Sequence, residues 1–184
     1  MLKAFLERNF RKMEQATGES ADFVRDMYEG APGGFWRFAM FTPMSHYRKV
    51  LPKEAYAVAK IAAGHSEDCG PCLQTCVNLG LADGVAPDII RAAVTGDTRA
   101  MDERTRVAFE FARAVCNHDI RSEELRPLIE QWWGKAGTVE LALVIASSRL
   151  YPTVKRALGH GQACLRVTIG SETVRAEIAA PQAA

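Results

Sequence analysis

Three of the five cysteines in this sequence lie close together, at Cys69, Cys72 and Cys76. Intervals of three and four residues place side chains on one face of an α-helix, and His65 lies four residues before Cys69 on the same predicted stripe. Thiols and an imidazole serve either thiol–disulfide chemistry or the binding of a soft metal ion. The spacing alone leaves both kinds of site open.

The residues around the first two cysteines favour the start of a helix. Pro71 suits a first turn, where its missing N–H is not needed. We therefore predict a helix over 69–79 that ends at Gly80. Cys69 and Cys72 would then lie at the positive end of the helix dipole, which favours the thiolate, and the pair can close a disulfide across one turn.

A metal site is the second interpretation. His65, Cys69, Cys72 and Cys76 are ligands of the types that suit tetrahedral coordination. On one helix, however, the first and last members of an i to i+7 stripe are about 10 Å apart, which is too far for one ion. Structural zinc ligands also usually come from two separated pairs. We therefore predict neither a metal nor another cofactor, and we favour redox chemistry.

A thiol site also needs groups that carry protons. His65 is the first candidate, and the carboxylates of Glu54, Glu67 and Asp68 are the others. Acidic residues immediately before a helix are what ordinary helix capping predicts, and for Asp68 we favour capping. A carboxylate beside a thiol also disfavours the thiolate, which opposes the effect of the helix dipole.

The remaining cysteines and histidines give weaker signals. Cys116 lies on an apolar helix face and is predicted to be a small buried residue, whereas Cys164 follows a glycine-rich break and has no assigned partner. His46 and His118 are predicted to lie on the surface or in loops. His160, between two glycines, has no evident partner in the sequence.

Helical patterns follow one another along almost the whole chain, separated by glycine, proline and capping residues. The aromatic cluster at 35–41 is predicted to belong to a core or a subunit interface. The most apolar helix is predicted to be the central one and to kink at Pro152. Segments 165–169 and 173–178 could form short strands, although a lone hairpin is marginal in water. The predicted helices cover 1–17, 20–29, 44–51, 53–65, 69–79, 87–94, 102–116, 122–133 and 139–158.

Composition and charge limit the class of protein. The chain has 184 residues, of which 48% are hydrophobic and 24% are charged, enough apolar content for one globular domain. A formal net charge of +1 without a basic run argues against nucleic-acid binding. The charged N-terminal segment and the shortness of the most apolar run predict neither a signal peptide nor a membrane span. An odd number of cysteines, three of them bunched, favours a soluble protein of the reducing cytoplasm.

A longer pattern surrounds the cysteines. The Cys-x-x-Cys helix start precedes Asn-Leu-Gly-Leu at 78–81, Ala-Pro-Asp-Ile-Ile at 86–90, Ala-Phe-Glu-Phe-Ala at 108–112 and a long apolar helix that opens with Val-Glu-Leu at 139–141. This order resembles the alkylhydroperoxidase D-like / carboxymuconolactone decarboxylase superfamily over about 51–159. The resemblance implies an all-α, multi-helix bundle that forms homo-oligomers, as dimers, trimers or hexamers. We therefore expect a single all-α domain over 1–184, with an N-terminal helical extension at 1–50, the family core at 51–160 and an irregular C-terminal tail at 161–184.

The resemblance also implies a function. Members of the peroxidase branch carry a Glu…Cys-x-x-Cys-x-x-x-His motif, in which the second cysteine attacks a peroxide, the first resolves it, and the glutamate and histidine relay protons. On this pattern Cys72 is the peroxidatic and Cys69 the resolving cysteine, although the helix dipole alone favours Cys69 as the more acidic thiol. We follow the resemblance and expect an alkylhydroperoxidase-like thiol oxidoreductase. Its substrate would be a peroxide or a disulfide, and a small thiol or a reductase protein would reduce it.

The sequence departs from this motif at two positions. Cys76 stands where the motif has histidine, and Ala57 stands where it has glutamate. Glu54 lies one turn before Ala57, and His65 or Glu67 could carry the protons instead. The alternative is therefore a non-peroxidase member of the family, either carboxymuconolactone decarboxylase-like or carrying a metal-binding or regulatory cysteine cluster.

Overall fold

A computed structural model describes residues 2–161 and 166–176, and in them the chain is helical apart from one β-hairpin. The all-α class predicted from the sequence is therefore confirmed. Within the described residues, none of the helices is both long and apolar enough to cross a membrane. The helices are α1 (Leu2–Thr17), α2 (Asp22–Gly30), α3 (Pro32–Ala39), α4 (Lys53–His65), α5 (Gly70–Ala82), α6 (Pro87–Thr95), α7 (Glu103–Cys116) and α8 (Arg121–Ala157), with 3₁₀ turns at Met44–His46 and Thr98–Ala100, and the hairpin strands are β1 (Arg166–Ile169) and β2 (Glu172–Arg175).

Helix α4 forms the centre of the main core, and α5, α6, α7 and α8 pack around it. Every residue from Ala55 to Gly64 is buried. Most of them are alanine, valine or glycine, and such small side chains let neighbouring helices approach on all sides. The prediction that the apolar helix 139–158 is central is wrong, because that part of α8 buries Leu141, Val144 and Ile145 on one face while Val139 stays exposed.

The backbone of α8 breaks where the sequence separates two predicted helices. Gly134 has φ 65° and ψ −176° in the middle of the hydrogen-bonded helix, a conformation that glycine adopts without steric cost. At Pro152, where the sequence predicts a kink, φ and ψ remain helical. The break therefore depends on the glycine and not on the proline.

Helices α1, α2 and α3 build a second, smaller core against the C-terminal half of α8. Phe10 packs edge-on against Phe35 with ring centroids 5.9 Å apart, and Phe38 packs against Tyr151 of α8 at 5.3 Å. Phe35 is buried in this core, as the core interpretation predicts, whereas Trp36 of the same cluster remains 46% exposed. The N-terminal extension thus covers one side of the helical core.

The segment before α4 is not the helix predicted over 44–51. Only Met44–His46 forms a 3₁₀ turn. The fully buried carboxylate of Glu140 on α8 instead accepts hydrogen bonds from the backbone N–H groups of Lys49, Val50 and Leu51, at 2.8 to 3.2 Å. These donors are used by a distant side chain, so they are not available to a helix.

The C-terminal tail, expected to be irregular, contains the antiparallel hairpin β1–β2. Val167, Ile169, Val174 and Ala176 are buried in the main core. A hairpin that is marginal alone gains stability when its apolar face packs against helices, and here it contacts α5 and α6. The expectation of an irregular tail is therefore wrong for 166–176.

The side chain of Gln74 fastens this hairpin to the cysteine helix. Its Nε2 donates to the carbonyl oxygen of Thr168 at 2.9 Å, and its Oε1 accepts from the Thr168 N–H at 2.6 Å. The same Nε2 donates to Asn78, whose own amide donates to the carbonyl of Thr17 in α1. One polar network therefore joins α1, α5 and the hairpin.

Replacing Gln74 with alanine removes both bonds to Thr168, and we expect the free energy of unfolding to fall by about 1–2 kcal/mol. Urea unfolding followed by circular dichroism measures the change. Gln131→Ala, on an exposed position of α8, is the matched control, with an expected change below about 0.5 kcal/mol. An equal loss in the two variants would contradict this role for Gln74.

Candidate functional site

Cys69 and Cys72 form a disulfide at the start of α5, with Cα atoms 5.2 Å apart. Cys69 is the residue that immediately precedes the helix, and Pro71 lies in the first turn. The predicted helix start at the Cys-x-x-Cys pair is confirmed. Both sulfurs therefore lie at the positive end of the helix dipole.

The predicted end of this helix is wrong. Helix α5 continues through Gly80 to Ala82. A Cβ atom at Gly80 would lie 2.7 Å from Cδ1 of Ile90 and 3.5 Å from Cβ of Ala57. Glycine at this position therefore allows the close approach of α5 to α6 and α4 and does not mark a change of chain direction.

A tight turn of three residues, 66–68, separates α4 from α5. Asp68 adopts φ 46°, in the left-handed region that aspartate tolerates better than most residues. No side chain of the described residues forms a capping hydrogen bond at the start of α5, so the capping role favoured for Asp68 is wrong. The left-handed conformation of Asp68 turns the chain, so that Cys69 directly precedes α5.

The sulfur-bearing side chains of Cys72 and Cys76 line an apolar cavity of about 420 Å³. This cavity lies between the N-terminal helices on one side and α4, α5 and α8 on the other. Its walls are mostly apolar and include the rings of Phe10, Phe23, Phe35, Phe38 and Tyr151, and charged side chains, among them Glu19 and Lys155, also line it.

Cys69 lines a different cleft. Its neighbours there are polar or charged, and they include Ser66, Glu67, Asp68 and Arg156. The two members of the disulfide are thus directed to different surroundings, Cys72 to an apolar cavity and Cys69 to a polar cleft. An apolar compound and a polar one can therefore approach the same disulfide through different pockets.

Lys60 is a site residue that the sequence analysis missed. It lines the same cavity as Cys72 and Cys76, it is only 8% exposed, and its Nζ donates to the carbonyl oxygen of Ser45 at 3.0 Å. The hydroxyl of Tyr56 donates to the same oxygen at 2.7 Å. In the sequence, the feature that could have indicated this residue is a single lysine within the apolar run 55–63.

Burial changes the ionisation of both groups. It lowers the pKa of Lys60 below its usual value. It raises the pKa of the Cys76 thiol to about 11, against the opposing effect of the Lys60 charge. Cys76 is therefore a neutral thiol near pH 7, which differs from the proton-carrying histidine that the motif has at this position.

Glu67 is buried beside Cys69 but is held in an ion pair. Its carboxylate accepts from Nε of Arg149 at 2.7 Å and from the hydroxyl of Thr153 at 3.5 Å, and Arg156 donates to its backbone carbonyl. The residue therefore fixes the turn between α4 and α5 to helix α8.

His65 does not share a face with the cysteines, because it ends α4 and the turn intervenes before α5. It lines a separate cavity of about 50 Å³ together with Ser66, Arg113 and Cys116. Its buried Nε2 has no hydrogen-bond partner among the residues that the structure describes. The common helical stripe predicted for His65 and the cysteines is therefore wrong.

Burial, together with nearby Arg113, lowers the pKa of His65 below its usual 6.5. Just below pH 6.5, His65 binds a proton in the unfolded chain but not in the folded protein. The folded state is therefore destabilised as the pH falls from above 6.5 through the folded-state pKa of His65. When the pH is lowered from about 7.5 to about 5.5, we expect the free energy of unfolding to fall less in His65→Gln than in wild type. Urea unfolding at both pH values tests this.

The exposed His118, replaced by asparagine because its φ is 57°, is the control for this experiment. We expect His118→Asn to keep the pH dependence of wild type. Identical pH dependence in His65→Gln and wild type would contradict the lowered pKa of His65.

Glu54 is not brought to the cysteines. It lies in the first turn of α4, 4.0 Å from Nζ of Lys53, at the end of the helix opposite His65. Eleven residues of helix separate these two positions by about 16 Å. Ala57, in the motif's glutamate position, is buried in the core.

The other cysteines and histidines occupy varied positions. Cys116 is buried, as predicted, and burial raises its pKa. His46 lies in the 3₁₀ turn and lines the apolar cavity. His160 contacts Asp26 of α2, with Nε2 2.6 Å from Oδ2, so it has a partner that the sequence does not reveal. Cys164 lies outside the described residues.

Over 2–161 and 166–176, no group of three or more His, Cys, Asp or Glu side chains is arranged to hold a metal ion. The four proposed ligands are divided among three cavities, since His65, Cys69 and the pair Cys72 and Cys76 line different ones. The four side chains that are close in the sequence and could ligate one ion are therefore apart in the structure.

Fold and site together define a helical protein with a Cys-x-x-Cys disulfide at a helix N-terminus, next to an apolar cavity. No protein-family model, curated protein or solved structure matches the chain.

Proposed function

We propose that the protein is a thiol-based oxidoreductase of the alkylhydroperoxidase D-like type, in which Cys69 and Cys72 alternate between disulfide and dithiol. The observation that carries this proposal is the placement of the disulfide, with Cys72 on an apolar cavity and Cys69 on a polar cleft. An organic substrate would reach Cys72, while a thiol reductant or a reductase protein would reach Cys69.

The reduced pair would reduce a hydroperoxide in two steps. The thiolate of Cys72 attacks the outer peroxide oxygen, the O–O bond breaks, and the alkoxide takes a proton from solvent and leaves as an alcohol. Cys72 is then a sulfenic acid. The thiol of Cys69 attacks this sulfur, the S–S bond forms, and one water is released. Two thiols of the reductant restore both cysteines and become a disulfide.

Two groups near Cys72 would favour its thiolate in place of the motif's carboxylate and histidine, against the opposing effect of burial. The positive end of α5 and the ammonium of Lys60, which lines the same cavity, both stabilise negative charge there. The neutral Cys76 adds no competing charge. These are the groups of this chain that replace the absent Glu and His positions.

Disulfide exchange is a second candidate for the same pair. The positions that hold the proton-relaying glutamate and histidine in the motif are here a buried alanine at 57 and a neutral thiol at 76. Thiol–disulfide exchange suits these residues better, because it releases a thiolate, which needs a proton less than the alkoxide released from a peroxide does. The two candidates are distinguished by the rates at which the reduced protein reacts with an equimolar hydroperoxide and with an equimolar aromatic disulfide.

The assembly and location belong to the same proposal. We propose a homo-oligomer in a reducing compartment such as the cytoplasm. Apolar side chains next to the second core are exposed, among them Met40 at 73% and Phe41 at 42%, and a subunit contact would cover them. Sedimentation equilibrium measures the oligomer size.

Thiol titration tests the redox proposal. Fully reduced wild type has five thiols, and after one equivalent of tert-butyl hydroperoxide we expect two fewer. Cys116→Ser, which removes a buried cysteine that is not part of the disulfide, is the control and should still lose two. Unchanged thiols in wild type would contradict the proposal and favour the non-peroxidase interpretations.

A further inference from the structure

The cavity beside Cys72 has the size of a ligand site. Its volume of about 420 Å³ falls within the usual range for small-molecule sites, roughly 300–1,000 Å³. Protein interiors seldom leave apolar spaces of this size unfilled. One wall is formed by α1, α2 and α3, and the ring of Phe38 there contacts Tyr151 on the opposite wall.

One cation is buried in this apolar setting. Lys60 has three ammonium hydrogens, and one hydrogen bond, to the carbonyl of Ser45, is formed with the described part of the chain. Its Nζ also lies 5.1 Å from the centroid of the Tyr56 ring, and no ion pair within 2–161 and 166–176 joins it to a carboxylate. Cys76 is a neutral thiol near pH 7, so it does not balance the charge. A buried ammonium without a counter-ion is costly, and an anion in the cavity would remove that cost.

A second polar group in the same cavity lacks a partner. The Oγ of Ser148 on α8 is buried and makes no hydrogen bond to any described residue. Its neighbour Ser147 differs, because that hydroxyl donates to the carbonyl of Val144. The unpartnered hydroxyl of Ser148 and the ammonium of Lys60, which has hydrogens beyond the one donated to Ser45, both line this cavity and are donors that an anionic group can accept from.

We propose that this cavity binds a single-chain amphiphile with one negative charge, such as a medium-chain carboxylate. The carboxylate accepts from Lys60 and Ser148, and the chain runs among the aromatic side chains of the N-terminal helices. The inference is independent of the redox proposal, because it concerns the occupant of the cavity and requires no reaction of Cys69 or Cys72.

Isothermal titration with decanoate and with decanol tests the proposal. The two probes share a chain and differ in the head group. We expect wild type to bind one decanoate at least about tenfold more tightly than decanol, as a charge-assisted hydrogen bond predicts. In Lys60→Met we expect this preference to disappear while decanol binding is unchanged. Equal affinity of wild type for both probes, or no binding of decanoate, would overturn the proposal.

Lys155→Met is the matched control, because Lys155 also lines the cavity but is only partly buried. We expect it to keep the preference for decanoate. Loss of the preference in Lys155→Met and not in Lys60→Met would overturn the placement of the head group. If Lys60→Met does not fold, Ser148→Ala must weaken decanoate binding more than decanol binding.

The variant Cys69→Ser/Cys72→Ser separates this proposal from the redox one. It should bind decanoate as wild type does, even though it has no redox pair. Lost binding in this variant would contradict the independence of the site, whereas unchanged thiols in the peroxide titration would leave the ligand site standing.

Discussion

Replacing Glu140 with alanine is expected to lower the free energy of unfolding by about 3 kcal/mol. The variant leaves the backbone N–H groups of Lys49, Val50 and Leu51 without their acceptor. The Leu51 donor is buried and the other two are partly buried, and an unsatisfied buried donor costs about 1–3 kcal/mol. Because 49–51 leads directly into α4, the loss acts on the helix at the centre of the core. Urea unfolding followed by circular dichroism measures it.

Two variants control this experiment. Glu140→Gln keeps one carbonyl oxygen, so we expect an intermediate loss of about 1–2 kcal/mol. Glu130→Ala, on an exposed position of the same helix, should change stability by less than about 0.5 kcal/mol. Similar values for Glu140→Ala and Glu130→Ala would show that the carboxylate does not hold the segment before α4.

The largest effect on activity is expected at Cys72. In Cys72→Ser we expect reaction with tert-butyl hydroperoxide to fall to the level of the double variant Cys69→Ser/Cys72→Ser, because the thiol on the apolar cavity is gone. In Cys69→Ser the first step survives, and a sulfenic acid accumulates at Cys72 since its resolving partner is absent. Dimedone labelling followed by mass spectrometry detects this species.

The same experiment decides between the two assignments of the nucleophile. The helix dipole alone favours Cys69, whereas the resemblance and the apolar cavity favour Cys72. Rapid dimedone labelling of Cys69 in Cys72→Ser, with none of Cys72 in Cys69→Ser, would reverse the roles. Cys76 is not expected to replace Cys69, because a disulfide between positions i and i+4 of a regular helix is strained.

Local signals in the sequence predicted most of the helices and the start of α5. Pro71 and the Cys-x-x-Cys spacing act within one turn, so their effect can be read without the rest of the fold. Asp102 caps α7 as its position suggests, accepting from the N–H of Thr105 at 2.8 Å.

The wrong predictions involve contacts between residues far apart in the chain. The segment 44–51 does not form its predicted helix because its N–H groups bond to Glu140, about ninety residues away, and Gly80 lies against Ile90 of a different helix. His65 does not lie on the same helical face as the cysteines, because the turn at 66–68 changes the direction of the chain between α4 and α5. Neither hydrophobic periodicity nor cysteine spacing carries information about such contacts.

Lys60 was missed for a related reason. A lysine within an apolar helix usually marks its solvent-exposed side, but α4 is buried on all sides, so this lysine faces a cavity. The division of Cys69 and Cys72 between two cavities likewise follows from how α8 and the N-terminal helices meet α5, which the sequence around the cysteines does not encode.

Mapping the disulfide that forms during reaction with a peroxide is the most direct test of the redox pair. Reduced protein is treated with one equivalent of tert-butyl hydroperoxide, remaining thiols are blocked, and the new disulfide is then reduced and labelled with a second reagent. Trypsin cleavage after Lys60 and Arg91 leaves Cys69, Cys72 and Cys76 in one peptide, so fragment ions must assign the labels. We predict the second label on Cys69 and Cys72 and the blocking reagent on Cys76. A disulfide that includes Cys76, or no disulfide in this peptide, would contradict the proposed function.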